Sequence, residues 1–208
     1  MIDTTSLFVY LSAAFVLAVT PGPGILYVLT RSLRGGRGEG YASAFGTTIG
    51  GMFHVIAAAA GLSAVLATSA VAFTVVKYAG AAYLIYLGVK TIMAPDHVEA
   101  DDTDIESTDG GALRQGIVTE LLNPKTALFF LAFIPQFINP ESVIFTQFII
   151  FGSISVLMNT TADIVVATLA GPIGYQLKTR RALRTGQRMF TGTGLIALGV
   201  YVAVAGEE

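Results

Sequence analysis

A handful of ionisable side chains lie inside long apolar stretches of this chain: His54, Lys77, Glu120, Lys125 and Asp163. Such groups are costly at membrane depth and are functional candidates by default. Glu120 could bind an ammonium group or carry a proton; alternatively it reaches water near the end of its span. Lys125 could attract a carboxylate, or form a structural ion pair with Glu120. Asp163 closes the run Asn159-Thr160-Thr161-Ala162-Asp163, a polar patch that must face the interior. It suits a proton relay, an ammonium contact or hydrogen-bonded helix glue. His54 continues the series Ala42, Gly46, Gly50, His54, Ala58, one helix face of small residues that another helix can approach closely. It therefore faces the bundle, either titrating during proton coupling or bonding a backbone carbonyl as a neutral ring. Lys77 is expected to snorkel toward water. Tyr10, Tyr27, Tyr78, Tyr83 and Tyr86 read as interface anchors and packing.

Two interruptions position these groups. Thr20-Pro21-Gly22-Pro23-Gly24 lies inside an apolar segment running from Leu7 to Leu29, and Asn123-Pro124-Lys125 lies inside another. Proline lacks an N–H and clashes with the preceding turn, so both segments should break. A helix broken at membrane depth is tolerated where its freed backbone faces protein or a water-filled cavity. Thr and Asn are good N-caps, and proline is favoured just after a cap. Each break is therefore expected to start a fresh half-helix whose N–H groups point at a substrate site: Thr20, Pro21, Gly22, Pro23 and Gly24 on one side, Asn123, Pro124 and Lys125 on the other.

The composition says what kind of chain carries these breaks. Of 208 residues, 53% are hydrophobic and 12% charged, and the mean hydropathy is +0.69. Soluble domains carry about 25% charged residues, so this is read as an all-α integral membrane protein. Apolar run lengths give six spans, at 6–30, 41–66, 71–93, 114–135, 143–173 and 189–205. Met1 to Thr5 hold no basic n-region, so the first run is read as a retained span. Arg31, Arg34 and Arg37 lie in the first loop, Lys90 and Arg114 flank the third, and Lys178, Arg180, Arg181, Arg184 and Arg188 fill the fifth. The positive-inside rule then puts the odd loops in the cytoplasm and both termini outside a plasma membrane. Residues 96–112 are acidic, with Asp96, Glu99, Asp101, Asp102, Asp104, Glu106 and Asp109, and read as a flexible linker. The linker divides a three-helix repeat at 1–95 from a second at 113–208. An odd number of spans in each half makes the repeats inverted.

These features point to a secondary transporter for a small zwitterion. Its carboxylate would dock on the half-helix N-termini, and its ammonium would pair with Glu120, Asp163 or unwound carbonyls. An intramembrane enzyme needs an activated nucleophile beside a base, and the two histidines are His54 and, in the acidic linker, His97. No cysteine is present, which excludes thiol chemistry. A net charge of −2 gives no reason to expect nucleic acid. A divalent-cation exporter is the alternative, with His54, Glu120 and Asp163 as ligands, although no cluster at ligand spacing supports it. No cofactor and no resident metal are expected. Gly46 and Gly50 would suit either an internal contact or the seam of a homodimer.

The chain also resembles the lysine exporter superfamily of amino-acid efflux proteins, and most closely its homoserine/threonine exporter branch. The resemblance rests on Thr20-Pro21-Gly22-Pro23, on the stretch from Gly46 through Gly50-Gly51 to His54, and on Lys77 to Leu84. Asn123 to Phe130 followed by Pro135-Gln136-Phe137 completes it. It implies export of neutral or hydroxylated amino acids by proton antiport. Where that family has Asn or Asp after its Pro-Gly-Pro, this chain has Gly24.

Overall fold

The computed structural model describes residues 4–68, 70–93, 111–139, 142–173 and 181–204, which are helical almost throughout. The acidic linker expected at 96–112 lies, up to residue 110, outside the described residues, as do Ser69, Lys178 and Arg180.

Helix α1 spans Thr4–Val19. Pro21 ends it, because the residue before a proline is pushed out of helical conformation. Thr20 completes its last turn, with N–H bonds to Val16 O at 3.0 Å and Leu17 O at 3.2 Å and a hydroxyl that also donates to Val16 O. Thr20 is therefore not the cap of the next helix, and the expected Thr20-Pro21 start is corrected. The hydroxyl is already committed to α1, and the restart falls two residues later. Helix α2 begins at Pro23, with Gly22 O accepting from Leu26 N at 3.0 Å, and runs to Thr68.

At 46 residues α2 is twice the length of one bilayer crossing, about 20 residues. It is divided at Gly36, whose φ of 79° and ψ of −177° are open to glycine alone. The chain turns back there: a Cβ on Gly40 would strike Ser32 Oγ and crowd the Ala167 Cβ. The loop expected between the first two spans is thus a one-residue break between helical segments 23–35 and 37–68.

Helix α3 is Ala70–Met93 and α4 is Gly111–Leu121. After a two-residue gap, α5 occupies Pro124–Leu128, with Asn123 as N-cap accepting from Lys125 N and Pro124 in the first turn. This second break has the expected cap–proline form. The chain continues as a π turn at Phe129–Phe133 and a 3₁₀ turn at Ile134–Phe137. Pro135, which cannot supply the α-helical bond, sits at that change of winding. Helices α6, Ile144–Thr168, and α7, Arg181–Val204, complete the described chain.

By length and composition, α6 and the 23–61 part of α2 are each able to cross a membrane. The pair α4 with Pro124–Phe137, bent by 44°, makes a third candidate. Among the described residues this criterion returns up to three spans rather than the six drawn from the sequence, and the first apolar run is cut by its break to the shorter helix Ser6–Val19.

The second segment of α2 packs on α4 and α6, α1 packs on α6, and α3 packs on α7. Gly46 and Gly50 are used inside the chain. A Cβ on Gly46 would lie 2.2 Å from Leu113 O, and one on Gly50 would lie 2.8 Å from Ile117 O. The surface that suggested a dimer seam is therefore covered by α4. Tyr10 is buried rather than interfacial: its hydroxyl donates to Phe151 O and meets Ser155 Oγ within an aromatic cluster of Phe133, Phe137 and Phe151. Tyr27 is also structural, donating to Ala112 O at 2.8 Å and accepting from Arg31 Nε. Lys77 is buried as well, its ammonium 5.4 Å from the Tyr78 ring centroid, so it does not snorkel. Phe8, Phe53, Leu122 and Leu157 are more than half exposed, as expected of side chains that face lipid.

Candidate substrate site

The two breaks lie against each other, and each meets charges from the other. Carbonyls in the last turn of a helix are left short of backbone donors; here Leu17 O accepts from Thr20 N at 3.2 Å and can take a second bond. Lys125, at the start of α5, reaches them: Nζ donates to Leu17 O at 3.0 Å and to Thr20 O at 2.9 Å. Its tip rests on Gly22, where a Cβ would come within 3.1 Å of Lys125 Cε. A cation here complements the negative end of the α1 dipole.

Glu120, in the last turn of α4, reaches the first turn of α2. A Cβ on Gly24 would lie 2.6 Å from Glu120 Oε2. The polar group absent from position 24 is thus replaced in space by a carboxylate from the other break. Glu120 is 5% exposed, so it does not reach water. Thr126 Oγ1 donates to its Oε1 at 2.6 Å and Asn123 Nδ2 to its Oε2 at 3.0 Å. The alternative of a Glu120–Lys125 contact pair is not observed. A contact ion pair is formed elsewhere, by Arg31 and Glu39 at 3.1 Å.

The facing wall comes from α2 and α6. Thr47 Oγ1 donates to Asp163 Oδ2 at 2.7 Å, and Asp163 is buried. Thr48 and Thr160 join their hydroxyls at 2.7 Å. Between the walls lies a cavity of about 20 Å³, lined among others by Glu120, Asn123, Lys125, Asn159 and Asp163. That is room for about one water molecule, so an amino acid requires the walls to separate.

The expected residues therefore divide. Gly24, Glu120, Asn123, Lys125 and Asp163 meet at the cavity. Thr20 and Gly22 stand behind Lys125. Pro21, Pro23 and Pro124 shape the backbone without lining the cavity, and His54 is set back, its Nε2 donating to Glu120 O at 2.9 Å. Thr47, Thr48 and Thr126 were not singled out from the sequence. Thr47 and Gly51, four apart beside the Gly46–Gly50 stripe, were the available signal that a second α2 face turns inward. Thr161, within the polar patch, faces outward and bonds Leu157 O.

Carboxylates, an ammonium, amides and hydroxyls converge here. The set can bind a small polar molecule bearing both charges. The sequence profile of the LysE type translocators matches residues 15–206. The chain belongs to the LysE type translocator family. It is 29% identical over 198 residues to the homoserine/homoserine lactone efflux proteins of Salmonella typhi and Salmonella typhimurium, covering 95% of this chain and 96% of each of those. A membrane protein of Bacillus subtilis named YrhP is 32% identical over 204 residues, covering 94% of this chain and 97% of that protein. No solved structure matches. Family membership and the apolar helices together identify a membrane protein and a translocator rather than an enzyme.

Proposed function

We propose that this translocator exports small amino acids, neutral or hydroxylated in the manner of homoserine and threonine, from the cytoplasm. The observation that carries this reading is the meeting of Glu120, Lys125 and Asp163 around one cavity in a chain that is only 12% charged. A zwitterion offers both signs on one small molecule, and these groups offer both in return. The carboxylate is drawn by Lys125, and the ammonium by Glu120 and Asp163. Of the two compounds in the Salmonella relatives' names, homoserine is such a zwitterion, while its lactone keeps the ammonium alone.

Access alternates as two inverted three-helix halves rock against each other. The packing pattern supports that arrangement. Under exchange of the halves α2–α6 and α3–α7 map onto themselves, and the extensive α2–α4 contact has a smaller counterpart in α1–α6. Proton antiport is the proposed drive, with Glu120 and Asp163 as carriers and His54 as the group behind them. In this reading odd loops face the cytoplasm and both termini face out.

Pure protein in liposomes should counter-flow radiolabelled homoserine or threonine, and an inward proton gradient should accelerate net efflux. The same panel should include divalent cations. Exchange of cations without amino acids would reverse the reading, although no group of three His, Cys, Asp or Glu is placed to hold a metal among the described residues.

A further inference from the structure

The Glu120 carboxylate occupies a place that only a glycine at position 24 leaves free. A Cβ at Gly24 would stand 2.6 Å from Glu120 Oε2, with Thr47 Cγ2 the next atom at 3.6 Å. Glu120 cannot simply swing aside. Its two oxygens are tied to Thr126 and Asn123, its Cβ faces Gly50, and its backbone carbonyl is held by His54. Gly24 and the carboxylate both lie on the cavity lining. Gly24 is also in the first turn of α2, and glycine is a weaker helix former than alanine, by up to about 1 kcal/mol in helix interiors. Local propensity thus argues against the residue that is present, and the seat it provides argues for it.

We infer that Gly24 is a specificity-determining positioning residue. By carrying no side chain it lets Glu120, from the second break, stand in the first break as the negative pole that receives a substrate ammonium. Gly24 and Glu120 then form one unit across the halves, and the substrate's amino group is read by the pair. This rests on the amino-acid reading proposed above, and deepens it by naming the pair that recognises the ammonium.

The pair makes a double-mutant cycle. Gly24→Ala is combined with Glu120→Asp, which is shorter by one methylene and withdraws the carboxylate from the added methyl. Gly61→Ala, on the same helix with nothing within 4 Å, serves as the control. The first readout is thermal stability in detergent, which needs no substrate. Gly24→Ala should lower the melting temperature when residue 120 is Glu and leave it level or raised when it is Asp. The second readout is counter-flow of an amino acid against competition by its 2-hydroxy acid analogue, which lacks the ammonium. Wild type should prefer the amino acid, Gly24→Ala should lose about tenfold of that preference, and the same change should have little further effect beside Glu120→Asp. Additive effects in both cycles, or a Gly24→Ala protein as stable and as selective as the control, would overturn the inference. A wild type that exchanges no amino acid overturns the proposed function, while the stability cycle still decides whether Gly24 seats Glu120.

Discussion

Asn123 does two things at once, and its loss separates them. Its side-chain oxygen caps α5 through Lys125 N, and its amide nitrogen donates to Glu120. Asn123→Ala should cost about 2–5 kcal/mol, a lost cap plus a lost bond to a charged group, read as a lower melting temperature. Asn123→Asp keeps the cap but sets a second carboxylate against Glu120. It should recover less than half of the loss, and full recovery would show that the bond to Glu120 contributes little. Lys125→Met leaves Leu17 O and Thr20 O without their buried partner. It should reduce both stability and amino-acid exchange, whereas Tyr10→Phe, which removes a buried hydroxyl that does not line the cavity, should cost about 1 kcal/mol and leave exchange in place. Equal loss of exchange in the two variants would mean that Lys125 is merely structural. At this scale the sequence is informative about which residues matter and poor about partners. Glu120, Lys125 and Asp163 stand out because charge is rare in apolar segments. That Lys125 would choose carbonyls of α1 over Glu120 depends on the meeting of two distant breaks, which no local pattern encodes.

Among the elements, breaks are legible because proline and glycine act on the backbone directly. Both interruptions occur where Pro21 to Gly24 and Asn123-Pro124 place them. The restart at Pro23 rather than Pro21 is not legible, since it turns on whether the Thr20 hydroxyl bonds backward or forward. Gly36 was hidden among Gly35, Gly38 and Gly40, any of which could mark a loop. Its backbone conformation gives a sharp test. Gly36→Ala should cost about 1–3 kcal/mol of strain, while Gly38→Ala, with open space around it, should cost nothing comparable. Thermal unfolding of the two variants side by side distinguishes them, and equal stability would mean the turn is not fixed at Gly36. The Gly46–Gly50 stripe is legible as a contact surface, but its partner is not. Only the fold shows that α4, rather than a second copy of the chain, fills it.

For the molecule as a whole, the proposed inverted six-span topology with outward termini rests on charge asymmetry in the loops. A reporter fused after Glu208 should behave as extracytoplasmic and one inserted at Asp102 as cytoplasmic; the reverse would overturn the inverted six-span arrangement. The cavity has room for about one water, so the proposed export of an amino acid needs its walls to separate. That joins topology to chemistry, because the groups that would bind a zwitterion are the ones that brace the breaks when none is bound. The most direct measurement is competition in proteoliposome counter-flow between a neutral amino acid, its carboxyl-amide and its 2-hydroxy acid analogue. The account predicts that the amino acid competes best, that each analogue loses affinity, and that Lys125→Met selectively narrows the gap between acid and amide. If wild-type protein handles all three alike, the cavity does not read the two charges of a zwitterion, and the account is wrong.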